Sequence, residues 1–110
     1  MTIKGELFII KFPSKKGREQ EGIRPGIIIA DTKTDLILVI PLTSNLEASK
    51  KFSYTFIIKK SEENNLEKDS VALVFQLQAL DKKRLIKKIG SLEDQYLKRI
   101  DNELKILLKL

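Results

Sequence analysis

Two short segments carry the side chains best suited to chemistry on an anion. Residues 19–29 read Glu-Gln-Glu-Gly-Ile-Arg-Pro-Gly-Ile-Ile-Ile, which sets Arg24 at the end of a charged, glycine-flanked loop and just before a β-branched run. Such a run favours a buried strand, and a following proline restricts Arg24 to extended backbone. A guanidinium is therefore expected at the mouth of a strand, where a rigid scaffold meets a loop and where binding and catalytic groups concentrate. Residues 40–44, Ile-Pro-Leu-Thr-Ser, put the hydroxyls of Thr43 and Ser44 at the end of another strand. Hydroxyls there can donate to an anion, or bond nearby backbone as in an ordinary turn. If the two strands pair, Arg24 and Thr43 converge from opposite strand ends.

What the chain lacks narrows the chemistry. It contains no histidine and no cysteine. The side chain that performs most acid–base catalysis near neutral pH is absent, and so are thiolates, disulfides and the usual ligands of zinc. Hydrolytic chemistry would have to run on Arg, Lys, carboxylates, hydroxyls and backbone. The 21 Lys and Arg against 15 Asp and Glu give a net charge of +6, which points to a polyanionic partner, nucleic acid or an acidic protein. Solubility alone would give the same excess, so motifs must decide. No apolar run approaches the roughly 18 residues that span a bilayer, and no signal pattern opens the sequence. The expectation is a cytoplasmic protein with no membrane partner, folded as one domain over residues 1–110.

The elements that must position these groups are mostly strands. Residues 6–12 are apolar and aromatic with charged ends, and predict a first strand. A polar loop over 13–22 carries Lys15, Lys16, Arg18, Glu19 and Glu21. Residues 26–30 and 36–42 predict a second and third strand joined as a hairpin, with Pro41 implying an edge or a bend. Residues 52–60 alternate as a fourth strand, 61–68 are polar with room for one helical turn, and 70–77 predict a fifth. Asp81 caps a short turn through Arg84, and 85–89 is a short apolar segment stopped by Gly90. From Ser91 the spacing of Leu92, Tyr96, Ile100 and Leu104 predicts a closing helix, with Ser91 and Asp94 as a capping pair. The stripe of Leu97, Ile100, Leu104 and Leu108 is assigned to core or dimer packing, and Phe12 and Phe52 to the core. Many short strands and one terminal helix predict a mainly β fold, a small antiparallel barrel with a C-terminal α-helix.

The ordered series Gly5-Glu6, residues 17–25 (Gly-Arg-Glu-Gln-Glu-Gly-Ile-Arg-Pro), residues 40–44, residues 68–73 (Lys-Asp-Ser-Val-Ala-Leu), Gln76-Leu77, residues 80–85 and residues 89–92 resembles the MazF/PemK family, the ribonuclease toxins of bacterial toxin–antitoxin pairs. The resemblance runs over nearly the whole chain. It implies an SH3-like barrel with a C-terminal helix, a homodimer, and metal-independent, sequence-selective cleavage of single-stranded RNA without a cofactor. It also implies a cognate antitoxin whose acidic C-terminal tail competes with RNA for a basic groove. In the MazF branch the Arg of Arg-Pro and the Thr of Pro-x-Thr-Ser are catalytic, here Arg24 and Thr43. The Arg-x-Asp of the PemK branch is replaced by Leu73 and Phe75, and an arginine common in the MazF branch is replaced by Gln78.

Cleavage of this kind uses the RNA's own 2′-hydroxyl as nucleophile and needs a base, an acid for the leaving 5′-oxygen and donors around the developing charge. Arg24 supplies a planar fork for phosphoryl oxygens. A guanidinium makes a poor base, since deprotonating it at neutral pH costs roughly 7 kcal/mol. Glu19, in the same loop, is the candidate base or the group that orients Arg24. Thr43 and Ser44 are expected to bond a phosphate oxygen or position the 2′-hydroxyl. Lys15, Lys16 and Arg18 are expected on the RNA backbone, Asn45, Gln76 and Gln78 on unpaired bases, and Gln20 among the RNA-binding residues. Two rivals follow: a weak family member that binds RNA or antitoxin without cutting, motivated by Gln78, and a gyrase-poisoning, DNA-directed toxin of the same fold, against which the Arg-Pro and Thr-Ser motifs argue.

Overall fold

The computed structural model describes residues 2–13 and 22–110. Its strands are β1 (Glu6–Lys11), β2 (Ile23–Asp31), β3 (Leu36–Thr43), β4 (Thr55–Ile58), β5 (Ser70–Leu73), β6 (Gln78–Asp81) and β7 (Leu85–Ser91). The helices are a single turn, α1 (Ala48–Lys51), and the terminal α2 (Asp94–Leu108), with 3-10 turns at Val74–Gln76 and Lys82–Arg84. The seven strands make one antiparallel sheet in the order β4-β5-β3-β2-β1-β7, with β6 also paired to β3.

The run of isoleucines in β2 has a direct structural meaning. Ile27 and Ile28 point to opposite faces and both are fully buried, so β2 is covered on two sides, the situation that produces continuous apolar strands. On one side Ile27 joins Leu7, Ile40, Leu42 and Phe56, with Ile100 of α2 buried among them and Tyr96, Leu97 and Leu104 packed at the margin. On the other side Ile28 joins Ile10, Phe12, Val39 and Leu80. Leu108, expected in the same helix stripe, is 53% exposed. Among the described residues no helix is long and apolar enough to cross a membrane.

The mainly β, antiparallel architecture with a closing helix is the one the sequence predicts, but the sheet is not closed: among the described residues β4 and β7, the outer strands, do not pair. The connection between β4 and β5 bridges that gap instead. Asn64, fully buried, is its hub. Its Oδ1 accepts the N–H groups of Ser61 and Leu66, and its Nδ2 donates to the Lys59 carbonyl and to Glu93. Ser91 N–H donates to the Glu63 carbonyl at 3.0 Å. A Cβ at Gly90 would lie 2.5 Å from the Asn64 carbonyl oxygen, so the connection packs directly on the β7 backbone.

Several boundaries differ from expectation for reasons that lie far away in sequence. The expected strand over 70–77 stops at Leu73, and Val74–Gln76 turns to release the chain into β6. Both β5 and β6 need the same edge of β3, at residues 42–43 and 36–39 respectively, so the chain must break between them. Pro41, with no N–H to offer, sits where that edge changes partner. The fourth strand shrinks to 55–58, preceded by α1. Ser91 ends β7 rather than capping the helix; the N-cap is Glu93, whose carboxylate is held by Ser61 and Asn64. Phe52 is not in the core: it is 47% exposed and rests against Phe75, ring centroids 5.2 Å apart. Residues 61–68 fold around Asn64 and hold one isolated turn, closed by the Asn65 N–H donating to the Ser61 carbonyl at 2.8 Å, with no helix growing from it.

Replacing Asn64 by Ala strands the backbone groups it satisfies inside the protein. The expected loss is about 1–3 kcal/mol, read as a lower denaturant midpoint at unchanged slope; an unmoved midpoint would show that the hub carries no weight.

Candidate active site

β2 and β3 run as a pair down to Gly26 opposite Pro41 and then part. β3 continues against β5, with Leu42 opposite Ala72 and Thr43 opposite Val71. β2 continues against β1, with Pro25 opposite Ile9 and Arg24 opposite Ile10. A cavity of about 670 Å³ opens at this fork. Extending the lost register by two residues sets Arg24 across from Thr43 on the same face, since side chains two apart share a face. Both line the cavity, together with Ser44, Asn45, Ser70 and, from the β4–β5 connection, Asn65, Glu67 and Lys68. Ile9, Ile23, Pro25, Leu42, Leu66 and Ile89 supply its apolar wall.

Arg24 belongs to β2 itself, not to the loop before it. Its guanidinium carbon lies 5.5 Å from the centroid of the Phe12 ring, a cation–π contact with a side chain that is only 4% exposed. Its Nε is buried and has no hydrogen-bond partner among the described residues. Burial lowers the guanidinium's pKa from its ordinary value, yet an arginine remains a cation at neutral pH. A buried N–H without an acceptor costs about 1–3 kcal/mol, and a charged one favours an anionic oxygen that can take two donors of the fork. The arrangement is thus a cationic donor with capacity to bind an anionic oxygen.

Phe12 is fixed in turn. Its N–H donates to the Gly22 carbonyl at 2.8 Å. A Cβ at Gly26 would come within 2.6 Å of Ile10 Cδ1 and 3.1 Å of Phe12 Cζ, so glycine lets both side chains pack closely against the strand where Arg24 meets the ring. Across the fork, Thr43 Oγ1 accepts the Asn45 N–H at 3.2 Å, and Asn45 Oδ1 accepts the Glu47 N–H at 3.1 Å. These bonds form the ordinary turn that a Thr-Ser-Asn sequence allows, and they fix Thr43 while leaving its own O–H proton available to a ligand.

The structure therefore brings together Arg24, Thr43, Ser44 and Asn45. Lys15, Lys16, Arg18, Glu19 and Gln20 lie outside the described residues. Gln76 and Gln78 do not line the cavity: Gln78 pairs with Val39 in β6, and its Nε2 donates to the Gln76 carbonyl at 3.0 Å. The position where an arginine is absent is thus not part of this cavity's wall. Asn65, Glu67 and Lys68 are lining residues to which the sequence attached no role. The signal present there was the Asn64-Asn65 pair, because asparagine tolerates positive φ (56° at Asn65) and organises turns.

Comparison with known proteins follows the same lines. Residues 3–108 match the family model described as "PemK-like, MazF-like toxin of type II toxin-antitoxin system". Among solved structures, the chain is similar to MazF from Deinococcus radiodurans, with 21% identity, a TM-score of 0.77, and coverage of 97% of this chain and 96% of that one. It is similar to the Mycobacterium tuberculosis toxin MazF-mt6 at 16% identity and a TM-score of 0.74, covering 96% and 97%. A mycobacterial endoribonuclease solved in complex with its cognate antitoxin matches at 15% identity and a TM-score of 0.71, covering 99% and 94%. At these identities the structures establish a shared fold.

A Gly26→Ala substitution forces Phe12 or Ile10 to move. The expected result is destabilisation by about 1–3 kcal/mol, measured by denaturant unfolding, together with displacement of Arg24 from the Phe12 ring. A variant as stable as the parent would contradict the close approach described at Gly26.

Proposed function

Since the chain belongs to the PemK-like, MazF-like toxins of type II toxin–antitoxin systems, we propose that it is an endoribonuclease that cuts single-stranded RNA sequence-selectively and without a metal ion. The 2′-hydroxyl on the 5′ side of the cut attacks the adjacent phosphorus, and the products are a 2′,3′-cyclic phosphate and a 5′-hydroxyl. The observation that carries this reading is Arg24: a half-buried guanidinium whose buried Nε–H has no partner among the described residues, lining the same cavity as Thr43.

The roles follow from the donors. Arg24 holds two phosphate oxygens in its fork and opposes the negative charge that grows on them as the phosphorus becomes pentacoordinate. Thr43 and Ser44 donate to one of the same oxygens or align the 2′-hydroxyl. Asn45 reads the edge of an unpaired base. Cations, hydroxyls and amides dominate the described lining, which suits a phosphate better than a divalent cation. Lys15, Lys16 and Arg18 bind backbone phosphates next to the cavity, Gln20 adds a base contact, and Glu19 orients Arg24. Gln76 and Gln78 contact RNA that extends past the cavity.

The protein works in the cytoplasm as a single toxin domain, paired as a homodimer. Its partner is an antitoxin with an acidic C-terminal tail that lies in the RNA groove and blocks it. The antitoxin complex of the mycobacterial relative supports that pairing, and the net charge of +6 favours an acidic peptide and RNA alike.

Incubation with a long single-stranded RNA in EDTA is expected to give discrete fragments ending in cyclic phosphate. Arg24→Ala should slow cutting by about 10²–10³-fold, and Arg24→Lys should restore little, because an ammonium lacks the fork. Cleavage that needs added metal, or that survives Arg24→Ala, would overturn the mechanism.

A further inference from the structure

We infer that Glu67 and Lys68 are the base and the acid of the cleavage, Glu67 taking the proton of the 2′-hydroxyl and Lys68 giving one to the departing 5′-oxygen. The inference rests on the ribonuclease reading of the cavity.

The step needs two proton transfers, and no histidine exists to perform either. Among the described residues that line the cavity, Glu67 is the one carboxylate, and Arg24 and Lys68 are the two cations. A guanidinium holds its proton far more tightly than an ammonium does. Of the two cations, Lys68 is the donor and Arg24 the permanent charge. Neither Glu67 nor Lys68 forms an ion pair with any described residue.

The backbone that carries them is held on both sides. Leu66 is buried and its N–H is bonded by Asn64. Ser70, also buried, donates from Oγ to the Lys68 carbonyl at 2.9 Å, and Asp69 accepts the Lys60 N–H at 2.9 Å. The two charged side chains are exposed at the cavity on this fixed backbone, free to reach a bound phosphate. In the reaction Glu67 removes the proton from O2′ as the O2′–P bond forms. The P–O5′ bond breaks with its electron pair on O5′, and Lys68 protonates that oxygen. Exchange of one proton with solvent resets both groups.

A bridging sulfur at the cut separates the roles, because a thiolate leaves without needing a proton. An oligonucleotide that the wild type cuts is prepared with oxygen or sulfur at the 5′ bridging position. Lys68→Ala should cut the oxygen substrate about 10²–10⁴-fold more slowly and the sulfur substrate at close to the wild-type rate. Glu67→Gln should be slow on both, and Glu67→Ala should regain activity with added formate, whereas Arg24→Ala should not. Unchanged thermal unfolding midpoints in the variants exclude misfolding as the cause. The inference is overturned if Lys68→Ala stays equally slow on sulfur, or if Glu67→Gln cuts at the wild-type rate. Those outcomes leave the ribonuclease reading intact; a wild type that cuts no RNA overturns both.

Discussion

The candidate site depends on the parting of β2 and β3 beyond Gly26 and Pro41. In an unbroken antiparallel ladder Arg24 and Thr43 would be cross-strand neighbours, about 4.5–5.5 Å apart at Cβ and in contact with each other. By passing β3 to β5 and β2 to β1, the fold separates them and leaves a cavity of about 670 Å³ between, a size typical of small-ligand sites. Proline helps make the fork. Pro25 and Pro41 flank it, and neither has an N–H to be orphaned when the strands separate.

The fork would be floppy without its two supports. On the β2 side, Phe12 lies beside Arg24 with Gly26 against the ring, so the cation rests on a buried aromatic face. On the far side, the Asn64 hub ties the β4–β5 connection to β7 and α2, where a closed barrel would have used a strand ladder. An open sheet with a buried amide as its clasp gives the cavity a wall of Asn65, Glu67 and Lys68 that a strand, with its side chains alternating between faces, would not have provided. The Nε of Arg24, buried and without a partner among the described residues, is the energetic counterpart of this arrangement, since a buried donor left unpaired costs stability.

Much of this was legible because it is encoded locally. The β-branched run at 27–29 marks a strand covered on both faces, Arg24 is pinned by the proline after it, and Thr43-Ser44-Asn45 is a turn sequence at a strand end. The apolar spacing of α2 likewise identified the helix, whose Ile100 is fully buried. What could not be read was decided by partners distant in the chain. Val74-Phe75-Gln76 is as β-prone as its neighbours, and only the competition of β5 and β6 for one edge of β3 breaks the strand there. Ser91 is a better helix cap than Glu93 by residue type, but Glu93 is held by Ser61 and Asn64, some thirty residues away. The same hub turns a polar stretch, 61–68, into one wall of the cavity.

The central claim is that Arg24 and Thr43 act on one phosphate. A double-mutant cycle on RNA cleavage tests it most directly, comparing Arg24→Ala, Thr43→Ala and the combination under single-turnover conditions. Groups that share a transition state give strongly non-additive losses. The predicted result is a double variant hardly slower than the worse single one. Losses that simply multiply, or a Thr43→Ala variant as fast as the parent, would contradict the account.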